Sequence, residues 1–167
     1  LAALADHLDL REFVLVGAAY GGFGALDYAL RLPDRVHALV LSGTQAGIAD
    51  PEYTSLRQRV VSEPIRQLPL EFRELGPSYR ARDPAGAQQW LEISRAEGHA
   101  RQRMHLQIAL PMLPGLSMPT LLIAGGADLL APPELMRRFA AHVPRCQFFT
   151  VCESGHCIHW EHPDEWN

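Results

Sequence analysis

Two residues in the second half of the chain, Asp128 and His156, have types that fit nucleophilic catalysis. A histidine oriented by a carboxylate can take the proton from a hydroxyl nucleophile, and a third position must then hold that nucleophile. The segment Gly17–Gly22 (GAAYGG) has the glycine spacing of the G-x-S-x-G turn, which lifts a nucleophile between a strand and a helix. Position 19 is the nucleophile position of this pattern. It holds Ala, which has no oxygen that could attack a carbonyl.

The glycines of this turn have a physical reason. We expect little room for a Cβ two residues before and two residues after position 19, at Gly17 and Gly21. The turn opens a helix, and the backbone N–H groups of a helix N-terminus favour developing negative charge. Along the chain, the nucleophile position 19 comes first, the acid Asp128 second and His156 third.

The hydrophobic pattern predicts the elements that must position these residues. Short apolar runs bounded by Gly or Pro are typical of buried strands, and longer segments with helical spacing lie between them. The alternation predicts an α/β fold with a parallel sheet and helices on both faces. The predicted strands are 13–16, 36–41, 120–124 and 146–151, and the predicted helices are 1–9, 21–32 and 133–142.

The middle of the chain has a different pattern. Strand signals stop after Gly47, and polar segments with helical spacing, rich in Arg and Glu and interrupted by prolines, continue to Pro114. We predict a helical cap that is inserted into a core of two parts. The predicted division is core for residues 1–46, cap for 47–114 and core for 115–167.

These motifs together resemble the α/β-hydrolase superfamily. The resemblance lies in Phe13–Gly43, in Gly125–Asp128 with Pro132, and in Gly155-His156 followed by Trp160–Pro163. The C-terminal run is also similar to carbon–carbon bond hydrolases that act on ring-cleavage products of aromatic degradation. Those enzymes commonly have Trp directly after the catalytic histidine, whereas this chain has Cys157.

The resemblance implies a role for each site residue. His156 would be the general base, Asp128 would orient it, and the backbone N–H of Tyr20 would be one oxyanion donor. The second donor of the family comes from a loop N-terminal to the turn, which this chain does not contain. Both ends of the chain look cut, so we expect the C-terminal part of such a hydrolase. It would lack the nucleophile and half of the oxyanion hole.

Several interpretations stay open at position 19. The native residue could be Ser, Cys or Asp, and Tyr20 in the next position favours Ser over the Asp of dehalogenases and epoxide hydrolases. A serine-to-alanine engineered variant and a natural pseudoenzyme both fit Ala19. The main function predicted is hydrolysis of an ester or a vinylogous diketone. The alternatives are a catalytically inactive protein that binds a small molecule, and a cofactor-independent oxygenase that keeps His156 as base.

Composition limits the partners. The net charge is −4, with 47% hydrophobic and 20% charged residues, which gives no reason to expect nucleic acid. No apolar run is as long as a membrane span. We expect a cytoplasmic protein with a small-molecule substrate, no cofactor and possible homo-oligomers. His156, His159 and His162 recur every third residue beside cysteines, but this spacing does not converge on a metal.

Candidate pocket residues are Arg101, His105 and Cys157. Arg101, Arg103 and His105 carry positive or titratable groups in the predicted cap, so they could bind an anionic substrate. A solvated helix face is the alternative interpretation for these residues. Cys157 is included because it directly follows His156.

Overall fold

A computed structural model describes residues 1–96 and 105–167. Its centre is a sheet of four parallel strands, β1 (Phe13–Ala18), β2 (Val36–Ser42), β3 (Thr120–Gly125) and β4 (Cys146–Val151), which pair in the order β1-β2-β3-β4. The predicted parallel sheet is therefore confirmed. Because all four strands run the same way, the loops that follow them emerge at one edge of the sheet.

Helices connect neighbouring strands, as the alternation predicts. A first helix, α1 (Ala2–His7), precedes β1; α2 (Gly21–Arg31) and a short 3-10 turn (Pro33–Arg35) link β1 to β2; α8 (Pro133–Ala140) links β3 to β4. Two short helices, α9 (Ile158–Glu161) and α10 (Pro163–Trp166), follow β4.

The larger hydrophobic core lies between one face of the sheet and the helices α2 and α8. Alternate residues of the strands, such as Leu39, Leu41 and Leu122, are fully buried there against Leu26 of α2 and Phe139 of α8. This alternation follows from the two-residue repeat of a strand, which sends successive side chains to opposite faces.

The opposite face of the sheet has its own smaller cluster. Ile123 and Val151 pack there with Ile158 of α9, and Trp166 of α10 packs against them. Trp166 also donates from its Nε1 to the hydroxyl of Ser42, at 2.9 Å. The C-terminal helices are thus fixed to the end of β2, and helices cover parts of both faces.

Between β2 and β3 the chain forms helices and no strand within the described residues. They are α3 (Pro51–Val60), α4 (Glu63–Arg66), α5 (Leu70–Glu74), α6 (Pro77–Arg82), α7 (Pro84–Ala96) and a 3-10 helix (Leu110–Gly115). The prolines begin helices here. Pro51, Pro77 and Pro84 are each the first residue of a helix, where the missing N–H costs nothing.

The inserted helices divide between two hydrophobic clusters. Tyr53 of α3 and Leu113 of the 3-10 helix belong to the main core. Leu75, Tyr79 and Trp90 form a second cluster around α5–α7. The cap predicted for residues 47–114 stays a prediction. Cys157 and Trp160, which follow β4, pack against the second cluster. Among the described residues, no helix combines the length and apolarity needed to cross a membrane.

Candidate active site

Ala19 lies in the sharp turn between β1 and α2 and has a positive φ of 48°. Its N–H donates to the carbonyl of Ser42 at 2.9 Å, which ties the turn to the end of β2. Non-glycine residues rarely adopt this left-handed conformation, because the Cβ approaches the following carbonyl. A backbone strained in this way at a strand-to-helix turn is what the G-x-S-x-G motif predicts for its central residue.

Two of the three glycines around Ala19 are required by packing. A Cβ on Gly17 would lie 2.7 Å from the Cβ of Ala25 in α2. A Cβ on Gly22 would lie 2.5 to 2.7 Å from the side chain of Thr44. Both distances are shorter than a van der Waals contact, so these positions let α2 pack closely on the strand ends.

The packing reason predicted for Gly21 is wrong. Apart from its chain neighbours and the backbone of its own helix, a Cβ at Gly21 would meet no atom of the described residues within 4 Å, and its φ is not positive. The close approach occurs one residue later, at Gly22, because that residue faces Thr44 in the loop after β2. The sequence pattern gives both glycines and does not show which of them faces the neighbouring loop.

Asp128 and His156 lie together at the strand ends. Asp128 Oδ2 is 2.9 Å from His156 Nδ1, and the carboxylate is fully buried. Its other oxygen, Oδ1, accepts from the N–H of Leu130 at 2.8 Å and of Ala131 at 2.9 Å. The loop after β3 therefore holds one oxygen of the carboxylate while the other oxygen contacts the ring. A ring whose Nδ1–H donates to Asp128 leaves Nε2 available as a proton acceptor.

The electrostatics of His156 follow from this pairing. Burial opposes protonation of the ring, but the charge and hydrogen bond of Asp128 outweigh it, with smaller contributions from Glu74 and Glu161. The pKa of His156 is raised above its ordinary value as a result. A neighbouring carboxylate that stabilises the imidazolium is what a general base needs during proton transfer.

The turn at Ala19 also has free backbone donors. The N–H groups of Tyr20 and Gly21 make no hydrogen bond to any residue in the two described ranges, 1–96 and 105–167. Such unpaired N–H groups at the start of a helix can stabilise a developing negative charge. The resemblance implies an oxyanion-hole role for the Tyr20 N–H, and this role stays a prediction.

Two of the candidate pocket residues, Cys157 and His105, are in different places. Cys157 follows His156 and packs against the second hydrophobic cluster, where burial raises the pKa of its thiol. His105 is exposed and lines a cavity of about 440 Å³ beside α2, with Asp27 and Arg31 but without Asp128 or His156. The structure does not bring His105 to the pair. Arg101 lies outside the described residues.

No group of three or more His, Cys, Asp or Glu side chains is arranged to hold a metal ion in the part of the chain described. His159 stacks edge-on against Trp166, and His162 pairs with Glu165 at 3.3 Å. The three cysteines are unpaired thiols in the structure.

Two contacts of the site were not recognised from sequence. Gly43, with a φ of 50°, lies so close to the histidine loop that a Cβ would be 2.8 Å from the carbonyl of His156. Glu161 is buried behind Gly155 and accepts a hydrogen bond from its N–H. A glycine directly after β2 was a usable signal for the first contact. The second depends on how the insertion folds back.

Comparison with known proteins agrees with this geometry. The model of the alpha/beta hydrolase family matches residues 1–167. A 2-hydroxy-6-oxononadienedioate/2-hydroxy-6-oxononatrienedioate hydrolase of Cupriavidus pinatubonensis is 27% identical over 188 residues, which cover 100% of this chain and 63% of that protein. A 2-hydroxy-6-oxo-6-phenylhexa-2,4-dienoate hydrolase of Burkholderia cepacia is 27% identical, covering 97% of this chain and 62% of that protein. The chain thus spans less than two thirds of the length of these curated relatives.

Solved structures give the same fold. A thermophilic esterase from Thermogutta terrifontis superposes with a TM-score of 0.79 at 29% identity, covering 99% of this chain and 65% of that one. An enol-lactonase from Burkholderia xenovorans superposes with a TM-score of 0.71 at 22% identity, covering 99% of this chain and 66% of that one. With the family model matched along the whole chain and the strand-end loops arranged as described, this chain belongs to the alpha/beta hydrolase family.

Proposed function

We propose that this chain is the frame of a hydrolase that cleaves an ester or the carbon–carbon bond of a vinylogous diketone. Ala19 stands at the nucleophile position, so the chain as written does not turn over. The observation that carries the proposal is the pairing of Asp128 with His156 at 2.9 Å, at the same sheet edge as the strained turn of Ala19. These are the three positions that a nucleophile, base and acid occupy in this fold.

The expected chemistry follows from the contacts. In a protein with Ser at position 19, His156 Nε2 would accept the hydroxyl proton while Nδ1–H donates to Asp128. The oxygen would attack the carbonyl carbon, and the negative charge on the carbonyl oxygen would be stabilised by the N–H of Tyr20. The raised pKa of His156 favours the imidazolium formed in this step.

A cavity beside the pair supports an anionic substrate. Its volume is about 330 Å³, and its lining includes three arginines, Arg57, Arg66 and Arg73, with Leu130 and one acid, Glu74, whose Oε1 lies 3.6 Å from Arg73 Nε. The Nε of Arg57 is buried without a hydrogen-bond acceptor among the described residues. Leu130 also donates its N–H to Asp128, so the cavity adjoins the site. Guanidinium groups bind carboxylates well, and the hydrolases similar to this chain are named for dioate and dienoate substrates.

Ala19 itself favours a second candidate function. Without an oxygen at position 19, the fold could hold a small carboxylate without cleaving it, which would make this chain a binding protein. The cytoplasmic location, the cap and homo-oligomers remain predictions from the sequence under either function.

The experiment is covalent labelling with a fluorophosphonate probe. The probe's phosphorus is attacked by an activated serine oxygen, fluoride leaves, and His156 takes the hydroxyl proton. We expect the Ala19→Ser variant to be labelled, while the parent chain and Ala19→Ser combined with His156→Ala are not. We expect the same variant to turn over a nitrophenyl ester, and the two control proteins not to do so.

The outcomes separate the two functions. Labelling that requires both the new hydroxyl and His156 supports the hydrolase. No labelling of the Ala19→Ser variant, in a protein whose thermal unfolding matches the parent, contradicts it. In that case, binding of a dicarboxylate to the parent chain, measured by calorimetry and lost on Arg57→Ala, would support the binding protein.

A further inference from the structure

Glu161 is a buried carboxylate that the proposed reaction does not use. It lies in α9, five residues after His156, and only 3% of its surface is exposed. Its Oε2 accepts two backbone hydrogen bonds, from the N–H of Gly76 and the N–H of Gly155, each at 2.9 Å. Gly155 precedes His156, and Gly76 lies between α5 and α6 of the insertion. One carboxylate oxygen therefore joins two segments that are distant in sequence.

The two segments approach closely only because both positions are glycine. A Cβ on Gly76 would lie 2.4 Å from the carbonyl of Glu153, and a Cβ on Gly155 would lie 2.3 Å from the N–H nitrogen of Gly76. Neither distance is compatible with a side chain. The backbone of the insertion and the backbone of the histidine loop are thus in direct contact.

Further hydrogen bonds connect the insertion to the loop that carries His156. The carbonyl of Glu74 accepts from the N–H of His156 at 2.7 Å and from the N–H of Cys157 at 3.3 Å. Arg82 of α6 donates to the carbonyl of Glu161 at 3.1 Å. The backbone of His156 is therefore held by Glu74, as its ring is held by Asp128.

The position of Glu161 is costly to keep charged. Burial raises the pKa of its carboxyl group, while the N–H groups of Gly155 and Gly76 and the nearby His162 lower it. Its second oxygen, Oε1, is buried without a hydrogen-bond partner among the described residues. A buried carboxylate with one unpaired oxygen destabilises the fold, and the two hydrogen bonds that Oε2 accepts offset part of this cost.

We propose that Glu161 is a positioning residue that latches the segment 74–76 of the insertion onto the loop carrying His156. It acts through backbone hydrogen bonds and does not touch the substrate. Its consequence for catalysis rests on the proposed function, whereas the latch itself is a property of the fold. Because segment 74–76 of the insertion helps to position His156, the position of His156 depends on whether this segment is ordered.

Two variants separate the latch from general stability. In Glu161→Ala both N–H groups lose their acceptor. In Glu161→Gln the amide oxygen can still accept both bonds, so only the charge is lost. Glu165→Gln, on an exposed carboxylate of α10, is the matched control for loss of a charge.

The first readout is amide hydrogen exchange of the parent background, resolved by NMR. We expect Glu161→Ala to speed exchange at Gly76, Gly155 and His156 by roughly tenfold or more, because two buried donors lose their partner. Exchange at Ile123 in β3 should change much less. Glu161→Gln and Glu165→Gln should keep the protection. Unchanged exchange at Gly155 in Glu161→Ala, or loss of protection in Glu161→Gln, overturns the proposal.

The second readout is the rate of fluorophosphonate labelling in the Ala19→Ser background. We expect Glu161→Ala to slow it at least about tenfold and Glu161→Gln to restore most of it, because a misplaced base lowers the rate strongly. If Glu161→Ala unfolds the whole sheet, Glu161→Gln decides alone, and it must keep both loop protection and labelling. If exchange behaves as expected but no variant is labelled, the proposed function fails and the latch stands.

Discussion

The carboxylate of Asp128 contacts His156 with one oxygen and the backbone of its own loop with the other. Oδ2 lies 2.9 Å from Nδ1 of the ring, while Oδ1 accepts from Leu130 and Ala131. The backbone of its own loop therefore orients the carboxylate independently of the histidine, and its charge acts on the ring. This division of the two oxygens gives the first prediction.

We expect Asp128→Asn to lower the pKa of His156, because the charge and charged acceptor that raise it are removed while burial remains. In the parent chain the folded-state pKa of His156 is raised above the ordinary 6.5. The protonated ring thus stabilises the fold below that ordinary value, and the contribution is lost as pH rises through the folded-state pKa. The free energies of unfolding of the parent and of Asp128→Asn should therefore become more similar as pH rises through the folded-state pKa of His156.

NMR titration of the ring measures the pKa of His156, and urea unfolding at several pH values measures the stability difference. Asp34→Asn, on an exposed residue, is the control. A pKa of His156 that does not fall in Asp128→Asn would mean that the pair does not set its titration.

The turn glycines give a paired prediction. Gly22→Ala should lower the free energy of unfolding by roughly 1–3 kcal/mol, because its Cβ would overlap Thr44. Gly21→Ala, whose Cβ meets no described atom, should leave stability unchanged or raise it by up to about 1 kcal/mol as a helix residue. Urea unfolding of both variants checks this, and equal losses would show that the two positions are packed alike.

Ala19→Gly should stabilise the protein although it removes a methyl group. The left-handed backbone at φ 48° costs a non-glycine residue about 1–2 kcal/mol. Glycine also has more conformational freedom in the unfolded chain, and this offsets roughly 0.5–1 kcal/mol of the stabilisation gained by relieving the strain. A small net gain in the free energy of unfolding is therefore expected.

Ala87→Gly, inside α7, is the control for Ala19→Gly and should be destabilising by about 1 kcal/mol. Thermal or urea unfolding of both variants provides the comparison. A loss at position 19 as large as the loss at position 87 would mean that the turn is not strained.

The three thiols should differ in reactivity. Cys152 is exposed, while burial raises the pKa of Cys146 and that of Cys157, so their reactive thiolates are scarce at neutral pH. With a chromogenic disulfide reagent, we expect one rapid phase from Cys152 and much slower reaction of Cys157. The Cys152→Ser variant should lose the rapid phase, and its persistence would show that another thiol is accessible.

Local sequence patterns were sufficient for the frame of the site. The apolar runs at Phe13–Val16 and Thr120–Ala124 lie within β1 and β3 of the structure, and the turn at Ala19 follows the first. Buried parallel strands are read from short runs of apolar residues, and sharp turns from glycine, so both leave a local signal. The same signals gave the order of Ala19, Asp128 and His156 along one sheet edge.

Contacts between distant segments had no local signal. Nothing in the residues around Glu161 shows that Gly76 lies against Gly155, because the approach depends on how the inserted helices fold back. His105 could be assigned a charge from sequence, but its place beside α2 depends on hydrogen bonds from its own N–H and that of Leu106 to Asp27. Such positions are decided by tertiary packing.

The pairing of β2 with β3 has a consequence for how the protein folds. β1 and β2 are joined by α2 and a short 3-10 turn, and β3 and β4 by α8, so each pair can form over a short stretch of chain. The strands β2 and β3 pair only between Leu39–Ser42 and Thr120–Ile123, and the whole insertion lies between them. Closing that long loop costs entropy before its contacts are gained. We expect β1–β2 and β3–β4 to form first and to pair with each other last. The turn at Ala19 and the Asp128–His156 pair come to the same sheet edge only when β2 pairs with β3.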